Sequence, residues 1–217
     1  MQTIARRLLV VEDEHLVSSL LKEILESAGF EVAIAPDAVS ALTVAKKFDP
    51  DIAILDINLG EGPSGVELAF VLDKLQPGIA LLILTKHPDL RTAGYTPEEL
   101  PKGCGFLRKD LLNDSQQFIA AIENVVSGKQ RVRQDQEPDR PLSALSSHQI
   151  EILRLAASGL TNAAIARQRN TSSRAVEQAL KSIYQDLGIE TDGDLNPRVE
   201  AVRRFVSVTG VPRRGDS

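Results

Sequence analysis

Three short apolar runs constrain this chain more than any other feature. Leu8–Val11 reads LLVV and is followed at once by Glu12 and Asp13. Ile52–Leu55 reads IAIL and is followed by Asp56. Ala80–Leu84 reads ALLIL and is followed by Thr85. Four or five aliphatic residues without alternation fit a strand buried on both faces, as in a parallel sheet covered by helices. Glu31–Ala35 and Cys104–Leu107 complete five candidate strands. Between the first two, Val17, Leu20, Leu21, Ile24, Leu25 and Ala28 recur at helical spacing, and Gly29 supplies the stop. Weaker helical patterns cover 37–47, 65–76 and 114–127. Strand and helix alternating five times, (βα)5, predict a doubly wound α/β sheet. The segment TAGYTPEELPKG after the fourth strand holds Pro97 and Pro101 within five residues, so only a turn fits there.

The pattern stops at Gly128–Pro141, GKQRVRQDQEPDRP, which has one aliphatic residue, dense charge and two prolines. Such a stretch contributes little to a core and reads as a linker. Beyond it the strand signal is gone and helices are predicted at 146–157, 161–168, 172–187 and near 197–208. The division is a first domain at 1–127, a linker at 128–141, a smaller all-α domain at 142–210 and a tail at 211–217. Charge divides in the same place. Residues 1–127 carry 11 Lys and Arg against 19 Asp and Glu, and residues 128–217 carry 14 against 11. An acidic front and a basic back suggest two tasks. A single cysteine, Cys104, excludes an intrachain disulfide and a cysteine-rich zinc site. With no Trp and 4% aromatics, a stacking platform for single-stranded nucleic acid is disfavoured. No apolar run approaches the roughly 18–20 residues needed to cross a bilayer, and the N-terminus lacks a signal-peptide pattern. A soluble cytoplasmic protein without a membrane partner is expected.

In a flavodoxin-like sheet of order 2-1-3-4-5, strands one and three are neighbours at the point where the strand order reverses, and ligands bind beyond their carboxyl ends. Glu12, Asp13 and Asp56 would converge there, with Thr85 and Lys109 at the ends of strands four and five. A carboxylate at a strand end is commonly a solvated loop residue or a helix cap. Here the successive intervals Asp13 to Asp56, Asp56 to Thr85 and Thr85 to Lys109 are 43, 29 and 24 residues, each about one βα unit. Three adjacent carboxylates repel unless a cation offsets them, and Mg²⁺ suits an all-oxygen site that also meets a phosphate. Lys109 adds positive charge and Thr85 a hydroxyl donor. The set can bring a phosphoryl group to one carboxylate, which attacks in line. Asp56 is the best nucleophile, because it stands alone on the central strand while Glu12 and Asp13 can hold the metal.

Through LLVVEDE, DIAILDINLG, LLILT and GFLRK, residues 4–127 resemble the receiver domain of two-component response regulators. The resemblance implies that Asp56 is the phospho-acceptor, Glu12 and Asp13 the acidic pair, and Thr85 and Lys109 the phosphate-sensing pair. It implies that Asn58 completes the metal shell through its backbone carbonyl, that Phe106 is the aromatic switch, and that a sensor histidine kinase is a partner. From the residues alone Phe106 reads as core. The chain departs from the family in three places. Asp110 follows Lys109 where proline is usual, which favours a trans bond and places a fourth acid beside the site. Lys86 follows Thr85 where a small residue is usual. The family's helix after the fourth strand is broken by proline.

In the second half, Val176, Leu180, Ile183 and Leu187 form one apolar stripe, and Arg174, Glu177, Gln178, Lys181 and Gln185 lie opposite. Ser172 and Thr161 are suited as N-caps and Gly188 as the residue past the C-cap. A short helix, the turn RNTS and a longer helix with a polar outer stripe fit a helix-turn-helix, or a generic helical hairpin. Residues 143–189 resemble the four-helix DNA-binding domain of the LuxR/NarL type, with the helix after Pro197 as its fourth. The resemblance implies double-stranded DNA as ligand, read in the major groove by Arg174, Glu177, Gln178 and Lys181. Phosphate contacts would come from Thr161, Asn162, Ser172, Ser173 and Lys181. Here too the chain departs from the pattern: Ala179 stands where histidine is frequent, and GIETDGDLNPRVEAV is longer and more acidic than the usual link.

The two resemblances together imply a DNA-binding response regulator and not a turnover enzyme. Phosphorylation of Asp56 would shift a two-state equilibrium, and a homodimer would grip two half-sites. An atypical regulator controlled without phosphate is the alternative that Asp110, Lys86 and the broken helix favour. An aspartyl-phosphate phosphatase is disfavoured, because such enzymes use a second aspartate where Asn58 stands.

Overall fold

All five apolar segments form strands in the computed structural model, which describes residues 5–127, 132–136, 141–191 and 194–211. They are β1 (Arg7–Val11), β2 (Glu31–Ala35), β3 (Ile52–Leu55), β4 (Ala80–Thr85) and β5 (Gly105–Arg108). All are parallel, in the order β2-β1-β3-β4-β5. The register sets Val11 beside Leu55, so the chain just past β1 and the chain just past β3 leave the sheet side by side. The connecting helices are α1 (His15–Ser27), α2 (Ala38–Phe48), α3 (Gly65–Leu75) and α4 (Ser115–Val126). Between β4 and β5 stands a single 3-10 turn, Pro97–Glu99, where the two prolines prevent a longer helix.

Alternation along the strands sorts the core into two layers. Leu8, Val10, Ile52, Ile54, Leu82, Leu84 and Leu107 pack with Leu21 and Leu25 of α1 and Phe118 and Ile122 of α4. The residues in between, including Leu9, Leu55, Ile83 and Phe106, are as deeply buried on the opposite face, where α2 lies on β1 and β2 and α3 on β3 and β4. Polar caps fix the helix starts. Asp37 accepts from the Ser40 amide at 2.8 Å, Asp114 from Gln117 at 3.0 Å, and Ser64 forms a reciprocal pair with Glu67; each such cap contributes about 1 kcal/mol.

The chain divides into two compact units, Met1–Thr85 with Pro97–Gln134, and Lys86–Thr96 with Asp135–Ser217. Two features depart from the sequence reading. Of the linker expected at 128–141, residues 128–131 and 137–140 lie outside the described residues, as do 212–217 of the tail. Residues 132–134, however, run along β5. The Phe106 amide donates to the Val132 carbonyl at 2.8 Å, the Arg108 amide donates to Gln134 Oε1 at 2.8 Å, and Phe106 bridges Arg133 in parallel. Val132, the one aliphatic residue of that stretch, packs on the core. An otherwise unpaired β5 edge gains a partner in this way. Secondly, Lys86–Thr96 belongs to the second unit. Asp89 and Thr92 close a buried turn, with the Thr92 amide on Asp89 Oδ1 at 3.0 Å, and Arg91 clamps Asp89 and donates to the Leu145 carbonyl.

The remainder of the second unit is α5 (Ser147–Ala157), α6 (Asn162–Gln168), α7 (Ser173–Asp186) and α8 (Pro197–Thr209). Ile150, Leu153, Ile165, Val176, Leu180, Ile183, Ala201 and Phe205 form its core. Tyr184, absent from the expected apolar stripe, is buried there too, while Leu187 is half-buried.

Candidate functional site

Backbone pairing carries the first site just beyond the sheet. The Glu12 amide bonds the Ala35 carbonyl and the Asp56 amide bonds the Val11 carbonyl, each at 3.0 Å, so both acids continue the ladder that fixes their strands. Glu12 and Asp56 are 2% and 6% exposed, and Asp13 is exposed. One ligand oxygen from each of the three lies within 4.8 Å of the other two. Lys109, at the end of β5, reaches across to both buried acids: its Nζ is 2.7 Å from Asp56 Oδ2 and 2.7 Å from Glu12 Oε2. Asp56 Oδ1 is buried and finds no hydrogen-bond partner among the described residues.

Burial pushes both carboxyls above their ordinary range. For Asp56 the pull of Lys109 opposes this, and for Glu12 the Lys109 hydrogen bond opposes it while Asp56 adds to the rise. Burial alone would lower the Lys109 pKa, but Asp56 and Glu12 hold it above the usual value. The cluster thus has one firmly held cation for two buried acids and an exposed third. Three carboxylates against one ammonium leave an excess of two negative charges, which two further positive charges would balance.

The surroundings of Asp56 are tightly packed. A Cβ at Gly65, the first residue of α3, would sit 1.9 Å from the Asp56 carbonyl oxygen, so only glycine lets the helix start this close. Thr85 is buried at the end of β4, Asn58 is exposed two residues after Asp56, and Lys86 is exposed. Phe106 is fully buried within the sheet layer. Asp110 does not join the cluster as a fourth acid. Its side chain is 63% exposed and pairs with Arg108 Nε at 3.4 Å, because the chain turns into a 3-10 segment at Lys109 and carries residue 110 outward. The Lys109–Asp110 peptide is trans.

The second site lies on α6 and α7. The Thr161 hydroxyl accepts from the Ala164 amide at 3.2 Å and that of Ser172 from Ala175 at 3.1 Å, so both cap their helices. Asn170, in the left-handed region at φ 54°, makes the turn between them. Ser173, Arg174, Glu177, Gln178 and Lys181 are exposed on α7, opposite Val176, Leu180, Ile183 and Tyr184. Asn162 is half-buried, and its Oδ1 accepts from Arg198 Nη1 of α8 at 2.5 Å. Arg198 was not recognisable from sequence, since it is 36 residues away from its partner.

An acidic pocket at the carboxyl edge of a doubly wound sheet, joined in one chain to a helix-turn-helix, defines the DNA-binding response regulators. The chain belongs to the LuxR-type branch of that family. The model of the response regulator receiver domain matches residues 8–110, and that of bacterial regulatory proteins of the luxR family matches 143–196. A candidate transcriptional regulator of Pseudomonas aeruginosa is 31% identical over 180 residues, 78% of this chain and 85% of its own. The transcriptional regulatory protein DegU of Brevibacillus brevis is 25% identical over 90% of this chain and 91% of its own. Among solved structures, a LuxR-family response regulator from Aurantimonas has a TM-score of 0.52 and 25% identity, covering 60% of this chain and 90% of its own. The response regulator RcsB in complex with DNA has a TM-score of 0.54 and 20% identity, over 96% of this chain and all of its own, a likeness of fold.

Proposed function

We propose that this regulator is switched by phosphorylation of Asp56. Support comes above all from the placement of that carboxylate, which is buried at the switch point, faces Lys109 and Glu12, and has one unpartnered oxygen. A sensor histidine kinase would present a phosphohistidine. An Asp56 oxygen attacks phosphorus in line, the new P–O bond forms as the P–N bond breaks, and the electron pair leaves with the imidazole. Lys109 then pairs with the phosphoryl oxygens in place of the bare carboxylate, and the Thr85 hydroxyl donates to one of them. Phe106, two strand positions before Arg108, would report the change through the sheet.

The orphaned Asp56 Oδ1 and the three converging carboxylates suit a hard divalent cation. Glu12, Asp13, Asp56 and the Asn58 carbonyl would hold Mg²⁺, which supplies charge neutralisation for the incoming phosphoryl oxygens. Asn58 stands where an aspartyl-phosphate phosphatase would place its second acid, which supports a phospho-accepting regulator over that enzyme class.

The receiver is assigned to 1–127, the linker to 128–141, the DNA-binding domain to 142–210 and the tail to 211–217. In the DNA-binding domain, Arg174, Glu177, Gln178 and Lys181 would face base edges of duplex DNA in the major groove. Thr161, Asn162, Ser172, Ser173 and Lys181 would meet phosphates, and a homodimer would span two half-sites. A regulator of duplex DNA would act in the cytoplasm. No described helix is long and apolar enough to cross a membrane.

Incubation with Mg²⁺ and a small phosphodonor, followed by intact mass, tests the assignment. Wild type gains one phosphate, Asp56→Ala gains none, and Asp13→Ala loses most of its Mg²⁺ affinity. A gain that persists in Asp56→Ala refutes the acceptor.

A further inference from the structure

We infer that Arg198 is a positioning residue that fixes the polarity of the Asn162 side-chain amide, turning Asn162 into a dedicated hydrogen-bond donor toward the DNA backbone. The inference rests on the proposed contact between Asn162 and phosphate and adds what makes that contact possible.

Arg198 stands in the first turn of α8, its own backbone amide held by Asn196 Oδ1 at 3.0 Å. Its guanidinium makes a two-pronged contact with the segment leading into α6. Nη1 donates to Asn162 Oδ1 at 2.5 Å and Nη2 donates to the Leu160 carbonyl at 2.5 Å. A guanidinium has donors only, in a rigid planar fork. The amide atom that faces it must therefore be the oxygen. The carboxamide is planar, so its NH₂ group is held on the other branch, directed away from Arg198. Among the described residues no hydrogen bond occupies Asn162 Nδ2.

An unconstrained asparagine presents either atom, and its oxygen repels a phosphate oxygen as its nitrogen attracts one. The prong on Leu160 matters as well. It anchors the backbone one residue before the Thr161 cap, so the amide is fixed in position as well as in sense. Thr161 uses its hydroxyl oxygen as an acceptor from Ala164, which leaves the hydroxyl proton as a second donor beside the Asn162 amide. One cation on the last helix thereby prepares a neutral donor pair on the helix-turn-helix without itself meeting DNA.

The test measures binding of the full-length protein to a mixed-sequence DNA duplex a few helical turns long, by fluorescence anisotropy, alongside thermal melting of each variant. Asn162→Ala is expected to weaken binding about two- to tenfold, the range for one hydrogen bond. Arg198→Met should weaken it similarly, and the double variant no further, because both remove the same contact. Asn162→Asp keeps a partner for Arg198, so its melting temperature is retained. It nevertheless turns an anionic acceptor toward phosphate, and should bind more weakly than Asn162→Ala. Arg198→Lys, also a pure donor, should recover binding relative to Arg198→Met even where stability is not restored. The inference is overturned if Asn162→Asp binds as well as wild type, or if the Arg198→Met and Asn162→Ala losses add in full. Wild-type binding by Asn162→Ala would refute the phosphate contact itself, and the inference with it.

Discussion

Removing the Lys109 ammonium should expose how much the first unit depends on a single charge. Lys109→Met removes the ammonium partner of Glu12 and Asp56, which are 2% and 6% exposed in the wild type. Their oxygens both lie 2.7 Å from the lysine nitrogen in wild type, and the cluster spans no more than 4.8 Å. At that separation two carboxylates repel by about 3.5 kcal/mol with an effective dielectric constant of about 20. Breaking a buried pair from one side typically costs about 3–5 kcal/mol, so the electrostatic figure and the general one agree. The loss must depend on pH. A carboxyl whose folded-state pKa is raised binds more protons folded than unfolded, so stability falls as pH rises above the unfolded value. Both acids are already raised with Lys109 present, and without it they rise further. The variant should therefore approach wild type below about pH 4, where both carboxyls are protonated, and diverge progressively above it. Urea denaturation in chelator across this range measures the difference. A deficit that stays constant with pH would mean that methionine merely packs badly, and would refute the electrostatic account. So would a deficit below about 1 kcal/mol near neutrality.

Gly65→Ala should destabilise the first unit by about 1–3 kcal/mol and slow phosphate uptake, because the new methyl group would meet the Asp56 carbonyl at 1.9 Å; unfolding and single-turnover mass measurements check both. On α7, Gln178→Ala should alter which sequences are enriched from a random duplex pool, with about 1–3 kcal/mol of discrimination lost at one base pair. Lys181→Ala should instead weaken all sequences alike and lower the salt slope by about one, which titration across a salt series would show.

The sheet was legible because each strand is an unbroken aliphatic run closed by a polar residue. Burial on both faces leaves no other pattern available to Leu8–Val11, Ile52–Leu55 or Ala80–Thr85. The acidic cluster followed from the topology, since residues ending neighbouring parallel strands must converge. The failures were matters of direction and of distance in sequence. That Asp110 turns outward to Arg108 depends on a 3-10 turn at Lys109, which a motif does not encode. That Lys109 holds two acids at once depends on the gap between β1 and β3. Arg198 and Asn162 meet only through the packing of α8 against the rest of its core. Tyr184 was missed because its hydroxyl suggests surface, although its position one past Ile183 falls on the buried flank of α7. A signal did exist for 132–134: one valine amid charges, now packed on the core beside β5.

That pairing has a mechanical meaning. At Val132 the chain is fastened to the middle of β5 by the Phe106 amide, and at Gln134 to Arg108. A pull along the chain just beyond Gln134 would load first the Gln134 bond to Arg108 and then the Val132 bond to Phe106, on the strand that ends one residue before Lys109. Tension and phosphate chemistry would thus act on the same few residues. A receiver transplanted onto another output module would have to carry its own sequence through Gln134 to keep that force path.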